Sequence, residues 1–341
     1  MSKILVTGGL GYIGSHTVVE LINAGFEPVI VDDLSNSQPK ILDQITKIAG
    51  LRPVFHQLDL SDEHAVKNLA TAEPDIKGVI HFAAFKAVGE SVQLPLKYYR
   101  NNIYSLINLL NAYYGKAINF VFSSSCTVYG QPDVLPVTEL APTKTAQSPY
   151  GNTKQIAEEI LTDMVKSDSP YKVIALRYFN PVGAHDSALI GELPIGVPQN
   201  LVPFITQTAI GKREKITVFG NDYNTSDGSC VRDYIHVVDL AKAHVAALKL
   251  MEKPDFSGYD VFNIGTGNGS SVLEIISAFE RVTGVKLNYS IGPRRAGDIE
   301  QVWGNVSKAE EKLHWKAGLG IDAMLASAWA WEKYIAQNPI Q

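Results

Sequence analysis

A short apolar run from Lys3 to Thr7 passes without a spacer into TGGLGYIGSH, and a helical pattern over residues 14–24 begins at once. Gly9, Gly11 and Gly14 satisfy G-x-G-x-x-G, while Gly8, Gly11 and Gly14 satisfy the tighter G-x-x-G-x-x-G spacing. Both spacings serve the same chemistry. Glycine permits the tight turn, lets the backbone approach a pyrophosphate and lets the helix pack on the strand, while the helix N-terminus offers free N–H groups and partial positive charge. A glycine triplet alone means little, but strand before and helix after give it context. Eighteen residues past Gly14, the run PVIV ends in Asp32-Asp33. A carboxylate there accepts hydrogen bonds from an adenosine ribose and repels a 2′-phosphate, which favours NAD over NADP. No Lys or Arg lies between Asp32 and Lys40 to reverse that preference. One of the two aspartates also reads as a turn residue. Asp59, after the third apolar run, is placed either to reach the adenine or to serve as N-cap partner of a helix starting at Ser61.

Further short apolar runs follow at 28–31, 53–57, 78–82, 119–123 and 172–177, separated by helical stretches at 61–71, 96–114 and 150–167. Strands apolar at consecutive positions are buried on both faces, as in a parallel sheet, and strand–helix alternation predicts a doubly wound α/β fold of Rossmann type. After about residue 181 the texture changes to a segment, 182–232, rich in Gly, Pro and Asn. A helix at 236–252 and a strand DVFNIG then return to the main sheet. The expected division is a dinucleotide-binding domain of 1–181 plus about 233–267, and a smaller α/β substrate domain of about 182–232 plus 268–341.

The chain has 341 residues, 30 Lys plus Arg against 35 Asp plus Glu, and 45% apolar residues. This mildly acidic balance without a basic run argues against nucleic acid or an anionic membrane as partner. No apolar stretch reaches the ~18 residues that span a bilayer, and MSKILVTGGL lacks the pattern of a signal peptide. Two cysteines, Cys126 and Cys230, fit a reducing, cytoplasmic setting. The eight histidines form no metal-binding motif, and His81 reads as a packed strand residue.

SPYGNTK at 148–154 places Tyr150 and Lys154 one turn apart on a helix that Ser148 can cap and Pro149 can open. A free phenol titrates near ~10 and is a poor base at neutral pH. A nearby ammonium together with the positive ring of NAD⁺ favours the phenolate; a ~3-unit fall requires about 4 kcal/mol, within reach of two cations in a partly dry cleft. Twenty-five residues upstream of Tyr150, the strand NFVF ends in Ser123-Ser124-Ser125, at the strand end where open α/β sheets bind ligands. Ser125 can hydrogen-bond the hydroxyl that Tyr150 deprotonates.

Together, TGGLGYIGSH, the strand-end Asp32, SSSCTVYG, SPYGNTK, RYFNPVGAH and VRDYIHVVDLA resemble the extended short-chain dehydrogenase/reductases, over nearly the whole chain and in order. Within them the match is nearest to the 4-epimerases of UDP-hexoses. The resemblance implies NAD as cofactor and interconversion of UDP-galactose and UDP-glucose by oxidation at C4, rotation of the 4-keto sugar and re-reduction. It makes Tyr150 the catalytic base and acid, Lys154 the ribose ligand that tunes it, and Ser125 its helper at the 4-hydroxyl. It places Gly8, Gly11, Tyr12, Ile13, Gly14, Asp32, Asp59, Leu60, Phe82, Lys86, Asn101 and Phe179 against NAD. For the nucleotide sugar it implies Asn180, Asn200, Leu201, Phe219, Arg232, Arg295, Asp298 and Val302. The arginines make physical sense, because a guanidinium neutralises a diphosphate bidentately; Arg232 could otherwise pair with Asp233 or Asp239. The stripe Ile103, Leu106, Ile107 and Leu110 could simply cover the sheet, while the resemblance implies a homodimer through the 96–114 and 150–167 helices.

Other readings make distinct demands. A 4,6-dehydratase resembles this pattern but carries Asp-Glu after the strand-end hydroxyls, where this chain has Cys126 and Thr127, neither a useful acid or base. A UDP-uronate enzyme needs an extra cation or hydroxyl near C6, which sequence cannot place. A non-catalytic NAD sensor has no use for Ser125, Tyr150 and Lys154 together. Many bacterial relatives carry Tyr where Val302 stands, so room beside C2 of the hexose, and activity on UDP-N-acetylglucosamine or UDP-N-acetylgalactosamine, is a further expectation; a valine merely packed in a strand is the alternative.

Overall fold

Successive residues of the first strand face opposite sides of one sheet, and both sides are buried. Ile4 and Val6 pack with Ile30, Ile80 and Val121 against one helical layer; Leu5 packs with Val29, Val31, Val79 and Phe120 against the other. The strands therefore read as unbroken apolar runs. Each such side chain contributes roughly 1.5–3 kcal/mol by burial, which leaves little tolerance for a polar residue on either face.

The computed structural model describes residues 1–167, 169–295 and 298–340. The chain runs β1 (Lys3–Thr7), α1 (Tyr12–Asn23), β2 (Glu27–Asp32), α2 (Lys40–Ala49), β3 (Val54–Gln57), α3 (Glu63–Ala72) and β4 (Ile76–His81). Then come α4 (Val88–Gln93), α5 (Pro95–Ala112), β5 (Asn119–Ser125), α6 (Pro149–Lys166), β6 (Lys172–Tyr178) and β7 (Asn180–Val182). The remainder is α7 (Leu201–Ala209), β8 (Ile216–Phe219), β9 (Val231–His236), α8 (Val237–Met251), β10 (Tyr259–Ile264), β11 (Gly269–Ser271), α9 (Val272–Thr283), β12 (Tyr289–Gly292), β13 (Gln301–Val302) and α10 (Ile321–Gln337).

Seven of these strands form one parallel sheet in the order β10-β6-β5-β4-β1-β2-β3. This is the doubly wound architecture expected from sequence, with β10 added at one edge. The winding reverses between β1 and β4, the place where open sheets of this kind bind ligands beyond the carboxyl ends of their strands. The glycine loop after β1, residues 82–86 after β4 and the serines of β5 all meet this edge.

A smaller sheet is centred on β9, which pairs with β7, β11 and β13, while β8 pairs with β12. Their core, with Ile205, Val218, Ile275, Phe279 and Leu325, is separate from the two cores of the large sheet. Residues 233–236, expected in the large sheet's unit, thus lie in a strand of the small sheet; α8 and β10 do return to the large one, with Leu240 and Leu248 packed beside Val18 and Val19.

Sequence reading passed over α2, although Ile41, Leu42 and Ile45 form its buried stripe. It also began α3 at Ser61, with Asp59 either reaching the adenine or capping that helix. The helix starts at Glu63, because the Asp62 carboxylate accepts hydrogen bonds from the His64 and Ala65 amides; Asp59 accepts from Ser61 in the turn before it. Among the described residues, no helix is long and apolar enough to cross a membrane, and no group of three or more His, Cys, Asp or Glu could hold a metal ion.

Candidate active site

Close packing requires the glycines of the first loop. Gly8 has φ +66°, and a Cβ there would lie 3.0 Å from the Ala83 amide nitrogen. A Cβ at Gly14 would run into the Gly8 carbonyl oxygen and sit 2.8 Å from the Gly9 Cα. Helix α1 starts directly after Gly11 with no side-chain cap, so the amides of its first turn are left without a side-chain partner. Uncapped amides, a dipole end and a backbone stripped of Cβ atoms fit a dinucleotide pyrophosphate.

Asp32 closes this loop from below. Its carboxylate accepts from the Leu10 amide at 3.0 Å, the Leu34 amide at 3.0 Å and the Ser37 hydroxyl at 2.7 Å. Burial raises its pKa above the usual aspartate range, and the three donors oppose that rise. Asp33 is the turn residue of the pair, accepting from the amide and hydroxyl of Ser35.

Other residues named against the cofactor are dispersed around this edge. The Tyr12 hydroxyl donates to the Gly183 carbonyl at 2.7 Å, tying α1 to the turn after β7. Ile13 and Leu60 are packed into opposite cores, and the Phe82 ring lies 4.6 Å from that of His244. Lys86 reaches within 3.6 Å of Glu192, and the Asn101 amide donates to Asn102. Phe179 is buried with Val128, Tyr129, Val137 and Val302.

Tyr150 and Lys154, the pair expected to react, sit on α6. Ser148 accepts from the Gly151 amide and Pro149 opens the helix, as its sequence predicts. Tyr150 and Lys154 are both buried, at 8% and 5% exposure, and the Lys154 Nζ lies 5.9 Å from the Tyr150 ring centroid. Nζ donates to the Ser123 carbonyl at 2.7 Å and lies 4.8 Å from the Phe122 ring. Ser125 Oγ accepts from the Thr127 amide at 3.2 Å. Burial holds the Tyr150 phenol above its ordinary value, Tyr178 adds to that rise, and the Ser125 hydroxyl pulls the other way. Burial also pushes Lys154 down to about 8, against the attraction of Glu158. Sequence expects the ammonium together with the positive ring of NAD⁺ to favour the phenolate; burial of the phenol sets the size of the opposing effect that those two charges must overcome.

The residues named for a nucleotide sugar spread over the second sheet and its loops. Asn180 opens β7, while Asn200 precedes α7, which Leu201 begins, and donates to Glu192 at 2.6 Å. Arg232 on β9 makes no ion pair among the described residues, for Asp233 binds the Thr266 and Gly267 amides and Asp239 binds those of Gly318 and Leu319. The alternative pairing of Arg232 with either aspartate is thereby excluded. Arg295 is paired with Asp298 at 2.6 Å, its guanidinium 5.5 Å from the ring of the half-exposed Phe219; Ala296 and Gly297 between them lie outside the described residues. Val302 is only 2% exposed, packed with Val128, Tyr129, Val137 and Phe179 and paired in register with Arg232.

Sequence reading missed the buried group beneath the pair. Glu158 accepts from Ser124 at 2.5 Å and takes two hydrogen bonds from Arg177, at 3.0 and 2.5 Å. Its spacing of four from Lys154 was the available signal.

A family model described as GDP-mannose 4,6 dehydratase matches residues 5–328. UDP-glucose 4-epimerase 2 of Arabidopsis thaliana is 51% identical, over 96% of this chain and 94% of its own. Two solved structures superpose over nearly the full length. One is the UDP-glucose-4-epimerase of Stenotrophomonas maltophila with NAD and formylated UDP-arabinopyranose, at TM-score 0.95 and 46% identity, covering 99% of this chain and 100% of that one. The other is the UDP-glucose 4-epimerase of Bifidobacterium longum with NAD+ and UDP, at TM-score 0.92 and 46% identity, covering 99% of each. The glycine loop, the buried Tyr150–Lys154 pair and these matches along the whole chain converge: it belongs to the UDP-glucose 4-epimerase family of the extended short-chain dehydrogenase/reductases.

Proposed function

We propose that this chain interconverts UDP-galactose and UDP-glucose with NAD as a bound, recycled cofactor. The observation that carries the reading is the buried Tyr150–Lys154 pair at the carboxyl end of β5, across the sheet switch point from an uncapped glycine loop. When bound, NAD supplies a reversible hydride acceptor and a positive charge. Gly8, Gly11 and Gly14, with the first turn of α1 at Tyr12 and Ile13, would hold its pyrophosphate. Asp32 would take an adenosine ribose hydroxyl, with Asp59 and Leu60 at the adenine, Lys154 at the other ribose, and Phe82, Lys86, Asn101 and Phe179 along the remaining wall.

Tyr150 takes the proton of the sugar 4-hydroxyl and later returns it, with Ser125 orienting that hydroxyl. Lys154 has one donor on Ser123, leaving two for a ribose and its charge for the phenolate. Arg232 and Arg295 clamp the diphosphate, and Asn180, Asn200, Leu201, Phe219 and Asp298 complete the nucleotide pocket. Because the anchor is remote from C4, the 4-keto sugar can turn over its other face while it stays held. The absence of a carboxylate at Cys126 and Thr127 weighs against elimination of water, although the matching family model is named for a dehydratase. Val302, in place of a tyrosine, would leave room for a 2-acetamido group.

The two-unit division read from sequence suits this chemistry, the large sheet holding NAD and the smaller unit the UDP-sugar. A homodimer in the cytosol completes the reading. Leu96, Val92 and Tyr104, on α4 and α5, are exposed by 80, 61 and 52%, an apolar surface suited to a second copy. The test is incubation of purified protein with UDP-galactose and no added NAD. Appearance of UDP-glucose, abolished in Tyr150→Phe, supports the reading; a 4-keto-6-deoxy product or no turnover rejects it.

A further inference from the structure

Beneath the reactive pair lies a buried ionic group that the reaction does not itself use. Glu158 stands one turn beyond Lys154 on α6 and is buried to 7% exposure. Arg177 of β6, 6% exposed, grips both its carboxylate oxygens, and Ser124 of β5 donates to one of them. The Arg177 guanidinium also lies 4.9 Å from the Tyr129 ring, whose hydroxyl donates to Asn263 at 2.7 Å. Ser124 is flanked by the two residues that meet the pair: Ser123, whose carbonyl accepts from Lys154 and whose hydroxyl bonds Tyr178, and Ser125 beside Tyr150.

A buried ion pair is a weak source of stability, since desolvation offsets most of the attraction, so its placement calls for another reason. The titratable groups around the reactive pair come from five elements. Tyr150 and Glu158 share the helix of Lys154; His81 lies on β4, Tyr178 and Arg177 on β6, Cys126 follows β5, and Tyr98 lies on α5. His81 is held neutral by burial, at about 3, and the thiol and phenols are pushed up by burial. Glu158 is the one carboxylate in this set.

We infer that Glu158 is a positioning residue for this reaction: clamped by Arg177 and Ser124, it fixes the strand end that receives Lys154 and supplies the negative charge that keeps the Lys154 ammonium protonated. The inference rests on the reading of Tyr150 and Lys154 given above. Burial drives Lys154 towards the neutral amine, and Glu158 is the group that opposes it. Arg177 keeps the carboxylate from collapsing onto the ammonium, so Lys154 remains on the Ser123 carbonyl.

The experiment compares wild type, Glu158→Gln/Arg177→Met, Arg177→Met and Tyr150→Phe for thermal stability and for kcat/KM against pH with UDP-galactose. Titration of ¹³Cε-lysine by NMR gives a readout independent of turnover. The double variant leaves no lone buried charge, so it should fold; its alkaline limb and Lys154 titration should move down by about one pH unit. Arg177→Met frees the carboxylate to act on Lys154, and both should move up. A pair electrostatically remote from Lys154 would leave both its titration and the alkaline limb in place. If both variants keep the wild-type limb, or neither folds while Lys154 of wild type titrates as a free lysine, the inference is overturned. If Tyr150→Phe retains activity, the underlying reading fails instead.

Discussion

The Lys154 ammonium is seated on the backbone of Ser123, Nζ to carbonyl oxygen at 2.7 Å, so the end of a central strand sets its height above Tyr150. The same strand end presents Ser125, and one strand thus places two of the three side chains proposed to react. Replacing Lys154 by Met should lower kcat by about 10²–10³, in line with loss of one acid–base partner, and leave the KM for UDP-galactose within a few-fold. Steady-state kinetics decides this; a change in KM alone would mean the lysine only binds.

Wild-type activity should also fall on the alkaline side as Lys154 loses its proton. The amine is pushed down to about 8, so its charge is present below that pH and lost above it. Bound cofactor and substrate, whose diphosphate is negative, will displace that limb from the value in the free chain. A kcat/KM profile flat from pH 7 to 10 would contradict the assignment.

Arg232 is free of the two aspartates that could have neutralised it, and among the described residues its guanidinium bonds only to the Val231 and Glu300 carbonyls, at 2.9 and 3.5 Å. Arg232→Met should raise KM for UDP-galactose by about 10–100-fold, as expected for a lost charge-assisted contact to a diphosphate, with Lys recovering only part. Equal losses for the UDP-sugar and for UDP inhibition would trace the contact to the nucleotide end.

Val302 packs with Phe179, Val128 and Tyr129, and it pairs in register with Arg232. A tyrosine there should cost about 1–3 kcal/mol by overpacking, seen as a lower melting temperature. It should also cut activity on N-acetylated UDP-sugars at least tenfold more than activity on the plain hexoses. An unchanged ratio would remove Val302 from the specificity argument and leave it a packing residue.

Acid should unfold the protein through its buried imidazoles. His16 and His81 are held down to about 3, and His236 and His244 to about 4, chiefly by burial. The unfolded chain binds these protons near 6.5, so each lowered value costs stability as pH falls from 6.5 towards 4, about 2–3 kcal/mol each for His16 and His81. Asp32 and Asp233, raised by burial, act in the opposite direction at the acid end, and they are fewer. Urea unfolding at pH 7 and pH 4.5 should show a marked loss at the lower pH, diminished in His81→Asn.

The order of elements and the pairing of Tyr150 with Lys154 on one helix were legible in the linear chain, because they depend on local physics. A glycine loop must follow a strand and open a helix to hold phosphate, and Tyr150 and Lys154 share a helix face through the 3.6-residue period alone. Helix α2 was equally local and simply overlooked. What the linear chain could not decide are contacts between residues far apart in it. Asp32 is committed to the glycine loop through Leu10, Arg232 is free because Asp233 is occupied 33 residues on by Thr266, and Glu158 gains its role only when β6 brings Arg177 against α6. The charge state of Tyr150 belongs with these. In sequence the phenolate is favoured by a lysine together with a cofactor's positive ring, and only the packed interior reveals how strongly lost water opposes them.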